Sequence, residues 1–164
     1  LWQEVVASGC EISNHSWGHT YLTKLSRQKI KFQMLRTQEK VDALLDCHYP
    51  MQVMRPPMGK TNQKVEESVA AVGYLAVVKW DVSETDPVKA LAAVQNGSIL
   101  LFHARKKDAK CLSVLIPQLV AEGYQLVTVS ELLGLPEIVC SAEKYVYHRR
   151  DTEENIRPDA VPQN

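Results

Sequence analysis

Apolar residues along this chain of 164 residues fall into short unbroken runs, separated by longer stretches in which they recur every three or four positions. That alternation predicts strands feeding helices, because a strand buried on both faces reads as a continuous apolar run and a surface helix as one apolar stripe. Residues 1–7 read as the tail of a helix stopped by Ser8-Gly9, and 10–14 as a short apolar strand. The stretch 27–46 predicts a long amphipathic helix with Ser26 as its cap and Ile30, Met34, Val41, Leu44 and Leu45 as its stripe. A strand over 51–54 ends at Arg55, since Pro56 and Pro57 cannot continue a central strand.

The same alternation then recurs. A helix over 62–71 closes near Gly73, and a buried strand over 74–79 finishes at Trp80-Asp81. The polar link 83–86 leads into a helix over 87–94, where Asp86 and Pro87 match the preferences for a cap and a first helical residue. After the turn Asn96-Gly97, a strand over 98–102 ends at His103. A helix over 110–122 carries the stripe Leu112, Leu115, Ile116, Leu119 and Val120, with Pro117 inside it and Gly123 beyond it. A last strand over 125–129 precedes a short helix through Leu133. Alternating elements of this kind imply an α/β fold with parallel strands, in which side chains at the strands' carboxyl ends converge at a barrel mouth. His15, His19, Arg55, Asp81, Asp86 and His103 all stand at or just past such ends.

Composition narrows the partners. Nineteen basic and nineteen acidic residues give a formal net charge of +0, with no basic run beyond Lys106-Lys107, preceded by Arg105, and Arg149-Arg150, so nothing predicts a nucleic-acid partner. No apolar run is long enough to span a bilayer. The chain opens on Leu1 rather than methionine, which predicts further residues upstream. Cys10, Cys47, Cys111 and Cys140 form no CxxC pair and are expected to be inert thiols, Cys10 within a strand and Cys111 on a helix's apolar face. Residues 135–164 become polar and proline-bearing, a peripheral tail following a domain over 1–134.

The stretch NHSWGH, residues 14–19, places two imidazoles four positions apart. On a helical turn they would share one face and could grip one divalent ion. The same spacing is also met when one histidine caps the next helix and the other is solvated. Arg55 could equally tie down a loop, Asp86 cap a helix and Trp80 fill a core; His48 and His148 fit no constellation and read as surface or loop residues.

NHSWGH, RPPMG, KWDVSETD, ILLFH and GYQLVTVSELL, in this order and spacing, resemble the polysaccharide deacetylases, carbohydrate esterase family 4 with its NodB homology domain. The resemblance spans about residues 1–133 and implies a distorted (β/α) barrel, incomplete at its N-terminus. It implies that His15 and His19 bind a zinc or other divalent transition metal ion, that Arg55 orients the catalytic base, and that His103 is the general acid, held by Asp86. Trp80 and Leu101 would wall the acetyl pocket, with Ser16, Pro57 and Gly59 also lining the substrate site. Such an ion lowers the pKa of a bound water and polarises the acetamide carbonyl, and an imidazolium can protonate the leaving amine.

The expected substrate is an N- or O-acetylated polysaccharide of the bacterial cell wall, and the expected location extracellular or at the cell surface. The family's aspartate pair, which supplies base and third metal ligand, has no counterpart: no Asp-Asp occurs in the chain. Truncation is the expected reason, and the 164 residues alone are expected to be inactive. Met58 replaces a usual aromatic and Pro87 a frequent groove tryptophan, leaving sugar preference open. A non-catalytic carbohydrate-binding relative and a small-amide hydrolase on the same barrel are the alternatives.

Overall fold

A computed structural model describes residues 1–142. Its elements are α1 (Trp2–Ala7), α2 (Arg27–Leu45), β1 (Val53–Met54), α3 (Gln63–Ala70), β2 (Ala76–Val77), α4 (Pro87–Ala93), α5 (Lys106–Ala121) and α6 (Val129–Leu132), with 3-10 turns at Leu22–Lys24 and Pro57–Gly59. β1 and β2 pair in parallel, Val53 opposite Ala76 and Met54 opposite Val77. On the other edge of β1 the chain at Asn14 bridges Met54, also in parallel, and a separate parallel bridge joins Val82 to Leu100. The order is therefore α/β and parallel, and β1, flanked on both edges, buries Val53 and Met54 almost completely.

The expected strands 10–14 and 98–102 reduce to single bridges, and 125–129 pairs with nothing among the described residues. A strand exists only where a neighbour continues its ladder, so an apolar run without one stays irregular. These segments do not close a barrel among the described residues. The run 74–79 is also less buried than expected: Leu75 is 54% exposed.

The helices follow the sequence more closely, because caps and periodicity are local. The side chains of Ser26, Asn62 and Asp86 accept hydrogen bonds from the first-turn N–H groups of α2, α3 and α4. α2 packs on α3, and its Ile30, Met34, Leu35 and Leu45 join Ile12, Leu22, Val65, Val69 and Tyr74 in the larger core. Leu44 lies outside that core, and α2 instead buries Gln33, Gln38 and Asp42. Asp42 accepts from Gln38 Nε2 at 2.7 Å and Tyr49 N at 3.0 Å, and lies 2.8 Å from His48 Nδ1. His48 is thus a mostly buried partner of a buried carboxylate rather than a surface residue.

α4 and α5 form a smaller core of Ala90, Cys111, Leu115 and Leu119. α5 begins a turn before its expected start and buries Asp108, Cys111, Leu115 and Leu119; Ile116 and Val120 point outward, since α4 covers the 111–115–119 face. Pro117 lies within its continuous 16 residues. Cys111 is buried as expected, and burial pushes its thiol pKa up, whereas Cys10 is exposed because its segment pairs with β1 only at Asn14.

The chain after Leu135 is not peripheral at first. Pro136 accepts a hydrogen bond from Gln52, Ile138 packs on the larger core, and Ser141 bridges His48. The rest of the expected tail, with His148, lies outside the described residues. Among the described residues no helix is long and apolar enough to cross a membrane.

Candidate metal and catalytic site

The histidine loop starts from Asn14, which is almost wholly buried. Its backbone is fixed to β1 on both sides: its N–H donates to Val53 and its carbonyl accepts from Arg55. Its amide donates to the Met34 carbonyl at 3.1 Å and to the Tyr74 hydroxyl, and its Oδ1 accepts from Ser16 N at 2.8 Å. Burial raises the Tyr74 pKa, so this phenol stays neutral.

Beyond Asn14 the chain does not form the helical turn suggested by the spacing. Ser16 and His19 adopt left-handed backbone conformations, with φ of 66° and 46°. Ser16 Oγ accepts from His19 N at 3.0 Å, and Gly18 N donates to Gln33 Oε1 on α2 at 2.7 Å. The folded loop still brings the two imidazoles together, with ring centroids 5.0 Å apart in an edge-to-face arrangement. The intervening Trp17 points outward, and Arg36 of α2 stacks over its ring at 5.1 Å.

His15 Nδ1 lies 2.6 Å from the Arg55 carbonyl. A carbonyl can only accept, so Nδ1 carries the proton and Nε2 keeps its lone pair, the form a metal ligand needs. Burial lowers the His15 pKa, and the positive charges of Arg55, His19 and His103 lower it further against the opposing effect of the Arg55 carbonyl. Arg55 stands just past β1, and burial lowers its pKa too; among the described residues its guanidinium has no ion-pair partner.

The following turn is shaped against Trp80. Met58 and Gly59 have φ of 54° and 63°, and a Cβ at Gly59 would come within 2.9 Å of the Trp80 ring. Glycine is required there for its backbone and for the space. Pro57 and Leu101 are buried, and Leu101 N donates to the Val82 carbonyl.

His103 is half exposed, and among the described residues it forms no ion pair with Asp86. Asp86 Oδ1 accepts from Val88 N and Lys89 N and is occupied in capping α4. Asp81 accepts from Ile99 N, tying the Val82–Leu100 bridge. The carboxylate at His103 is Asp108, whose Oδ1 accepts His103 N at 3.0 Å and lies 3.9 Å from its Nδ1. Burial would raise the Asp108 pKa, but the His103 N–H and the Arg105 guanidinium outweigh it and hold it low.

Sequence reasoning missed Asn14, Gln33, Tyr74, Arg105 and Asp108. The available signal for Asp108 was its place in the first turn of α5.

The two imidazoles suit a divalent transition metal in proximity, and His15 also in ring state, but no group of three His, Cys, Asp or Glu gathers among the described residues. Residues 1–77 match the polysaccharide deacetylase family. The peptidoglycan-N-acetylglucosamine deacetylase PgdA of Listeria monocytogenes is 34% identical over 137 residues, covering 77% of this chain and 28% of that protein. The solved peptidoglycan deacetylase PdaC of Bacillus subtilis superposes with a TM-score of 0.68 at 28% identity, over 81% of this chain and 68% of that one. A CE4 family pseudoenzyme from Bacillus anthracis shares the fold, with a TM-score of 0.70 at 23% identity over 80% and 49% of the two chains. Over residues 1–77 this chain is similar to the polysaccharide deacetylase family, and it spans little more than a quarter of the Listeria relative.

Proposed function

We propose that these residues form part of the active site of a metal-dependent deacetylase that removes acetyl groups from N- or O-acetylated polysaccharide of the bacterial cell wall. The observation that carries this reading is His15, held by the Arg55 carbonyl with Nε2 free and its ring 5.0 Å from that of His19. His15 and His19 would hold a zinc-type ion, which when bound supplies an activated water and a polarised acetyl carbonyl. The catalytic base and third metal ligand come from outside these 164 residues. The Arg55 guanidinium, half-buried without an anion among the described residues, fits a role of receiving and orienting that base.

His103 donates a proton to the leaving amine, which departs poorly until protonated. Trp80, Pro57 and Leu101 give the acetyl group an apolar wall, and Gly59 leaves the room in which the Trp80 ring lies. Ser16 holds the His19 backbone, so its part in the site is to shape the metal loop. The relatives' cell-wall substrates fit an extracellular or cell-surface location for this protein.

Zinc analysis of the complete protein, followed by acetate release from peptidoglycan and chitooligosaccharide, tests the reading. Stoichiometric zinc with acetate release is expected. A complete protein that binds zinc yet releases no acetate from either glycan would refute the polysaccharide assignment and favour a small amide. A second reading is a non-catalytic carbohydrate-binding relative. Its signature is glycan binding without bound zinc.

A further inference from the structure

We infer that a cavity at the amino-terminal end of the parallel strands, lined by Gln52 and His48, is a binding site for a small neutral molecule with an apolar body and one hydroxyl. The inference is independent of the proposed activity, and the cavity lies at the other end of β1 from Arg55.

The two ends of the strands separate the two sites. Met51 and Gln52 lead into β1, and Tyr74 and Leu75 into β2, whereas Arg55 and Trp80 come after them. The four residues that lead in line a cavity of about 440 Å³. Leu35, Met51 and Val72 give it a buried apolar wall from the larger core. Pro136 and Val139, on the segment that returns to pair with His48, give it an outer wall. A mostly apolar cavity of this size with a few fixed polar groups suits a small organic ligand.

The group that specifies the ligand is Gln52, a residue only 8% exposed. Its Nε2 donates to the Pro136 carbonyl at 2.8 Å, which fixes the amide, because the reverse orientation would set two acceptors against each other. Its Oε1 is buried and accepts no hydrogen bond from the described residues. His48 supplies a second acceptor. Its Nδ1 lies 2.8 Å from Asp42 Oδ2, and the carboxylate takes that proton's hydrogen bond, so in the neutral ring Nε2 keeps a lone pair.

Two acceptors set in apolar walls select a donor. A carboxylate brings only further acceptors, and an ammonium entering an apolar cavity loses its hydration. A hydrocarbon leaves Oε1 unpaired. A hydroxyl gives the one proton that Oε1 lacks and stays neutral.

The test is a methyl NMR titration of the complete protein with benzyl alcohol and benzonitrile, following Leu35, Met51 and Val72. The probes share a ring and a heavy-atom count, but the alcohol can donate a hydrogen bond and the nitrile can only accept one. Benzyl alcohol is expected to move these methyls saturably and to bind about tenfold tighter than the nitrile, about 1.4 kcal/mol and the scale of one net hydrogen bond. Gln52→Leu, which removes the acceptor at similar volume, should lose that preference. Val139→Trp, an exposed change on the outer wall, should weaken both probes.

Equal affinities in the wild type, or a tighter nitrile, would overturn the inference. Shifts that stay linear in probe concentration would overturn it too, since solvent alone would then fill the cavity. The wild-type comparison decides by itself, whether or not Gln52→Leu folds. Neither zinc nor acetate release enters the measurement, so failure of the proposed activity leaves its result intact.

Discussion

The loop carrying His15 and His19 and the corner carrying His103 are held in opposite ways. The histidine loop is fixed by partners far away in sequence: Asn14 to Tyr74 and Met34, Gly18 to Gln33, His15 to Arg55. His103 is held within five residues, its backbone N–H bonded to Asp108. A metal ligand must hold its lone pair at one point in space, which a buried network from several elements achieves. A proton donor must face solvent and substrate, and a short-range backbone bond holds it without burying it.

The sharpest way to break the contrast is to remove one histidine from each region in the complete protein. His15→Ala or His19→Ala is expected to abolish metal retention and activity together. His103→Ala is expected to keep the metal and lose about 10²–10⁴-fold in kcat, the range for general acid catalysis. Metal analysis beside acetate release checks both, and full activity in His103→Ala would remove the acid assignment.

Next in size is Asn14→Ala, which strands the buried Tyr74 hydroxyl, removes the partner of the part-buried Ser16 N and takes a second donor from the Met34 carbonyl. At about 1–3 kcal/mol for each buried group left unpaired, a loss of roughly 3 kcal/mol is expected in urea unfolding. A loss under about 0.5 kcal/mol, the size of a surface substitution, would mean that the loop is not held as described. Gly59→Ala should cost about 1–3 kcal/mol through backbone strain, and it should shift Trp80 fluorescence because the new Cβ meets its ring.

The smallest effect is pH dependence, where the two regions separate into different windows. The His15 pKa is lowered on folding, so its contribution to stability is fully present above its ordinary value near 6.5 and declines as pH falls below it. The Asp108 pKa is also lowered, so its contribution holds above about pH 4 and is lost as pH falls through the folded value. Unfolding measured across pH should therefore weaken in two steps. His15→Ala should remove the upper step and Asp108→Asn the lower one.

Helices were legible in the chain because their signals are short-range: Ser26, Asn62 and Asp86 cap the helices they precede, and apolar spacing marks α2. Strands were less so. The run 125–129 has the composition of a strand, but the ladder depends on a neighbour that no local pattern supplies. The start of α5 was missed by one turn, and Asp108 with it.

The amino-acid order by itself determined the α/β alternation, the helix caps, and the residue types able to bind a metal and move a proton. Tertiary structure decided how they are used. It folded NHSWGH through left-handed residues instead of a helical turn, chose Nε2 of His15 as the free nitrogen, and gave His103 to Asp108 while Asp86 capped a helix. The physical reason is that a side chain's hydrogen-bonding state depends on which donors and acceptors lie within about 3 Å. For Asn14 and Tyr74, 60 positions apart, only folding brings them to that distance.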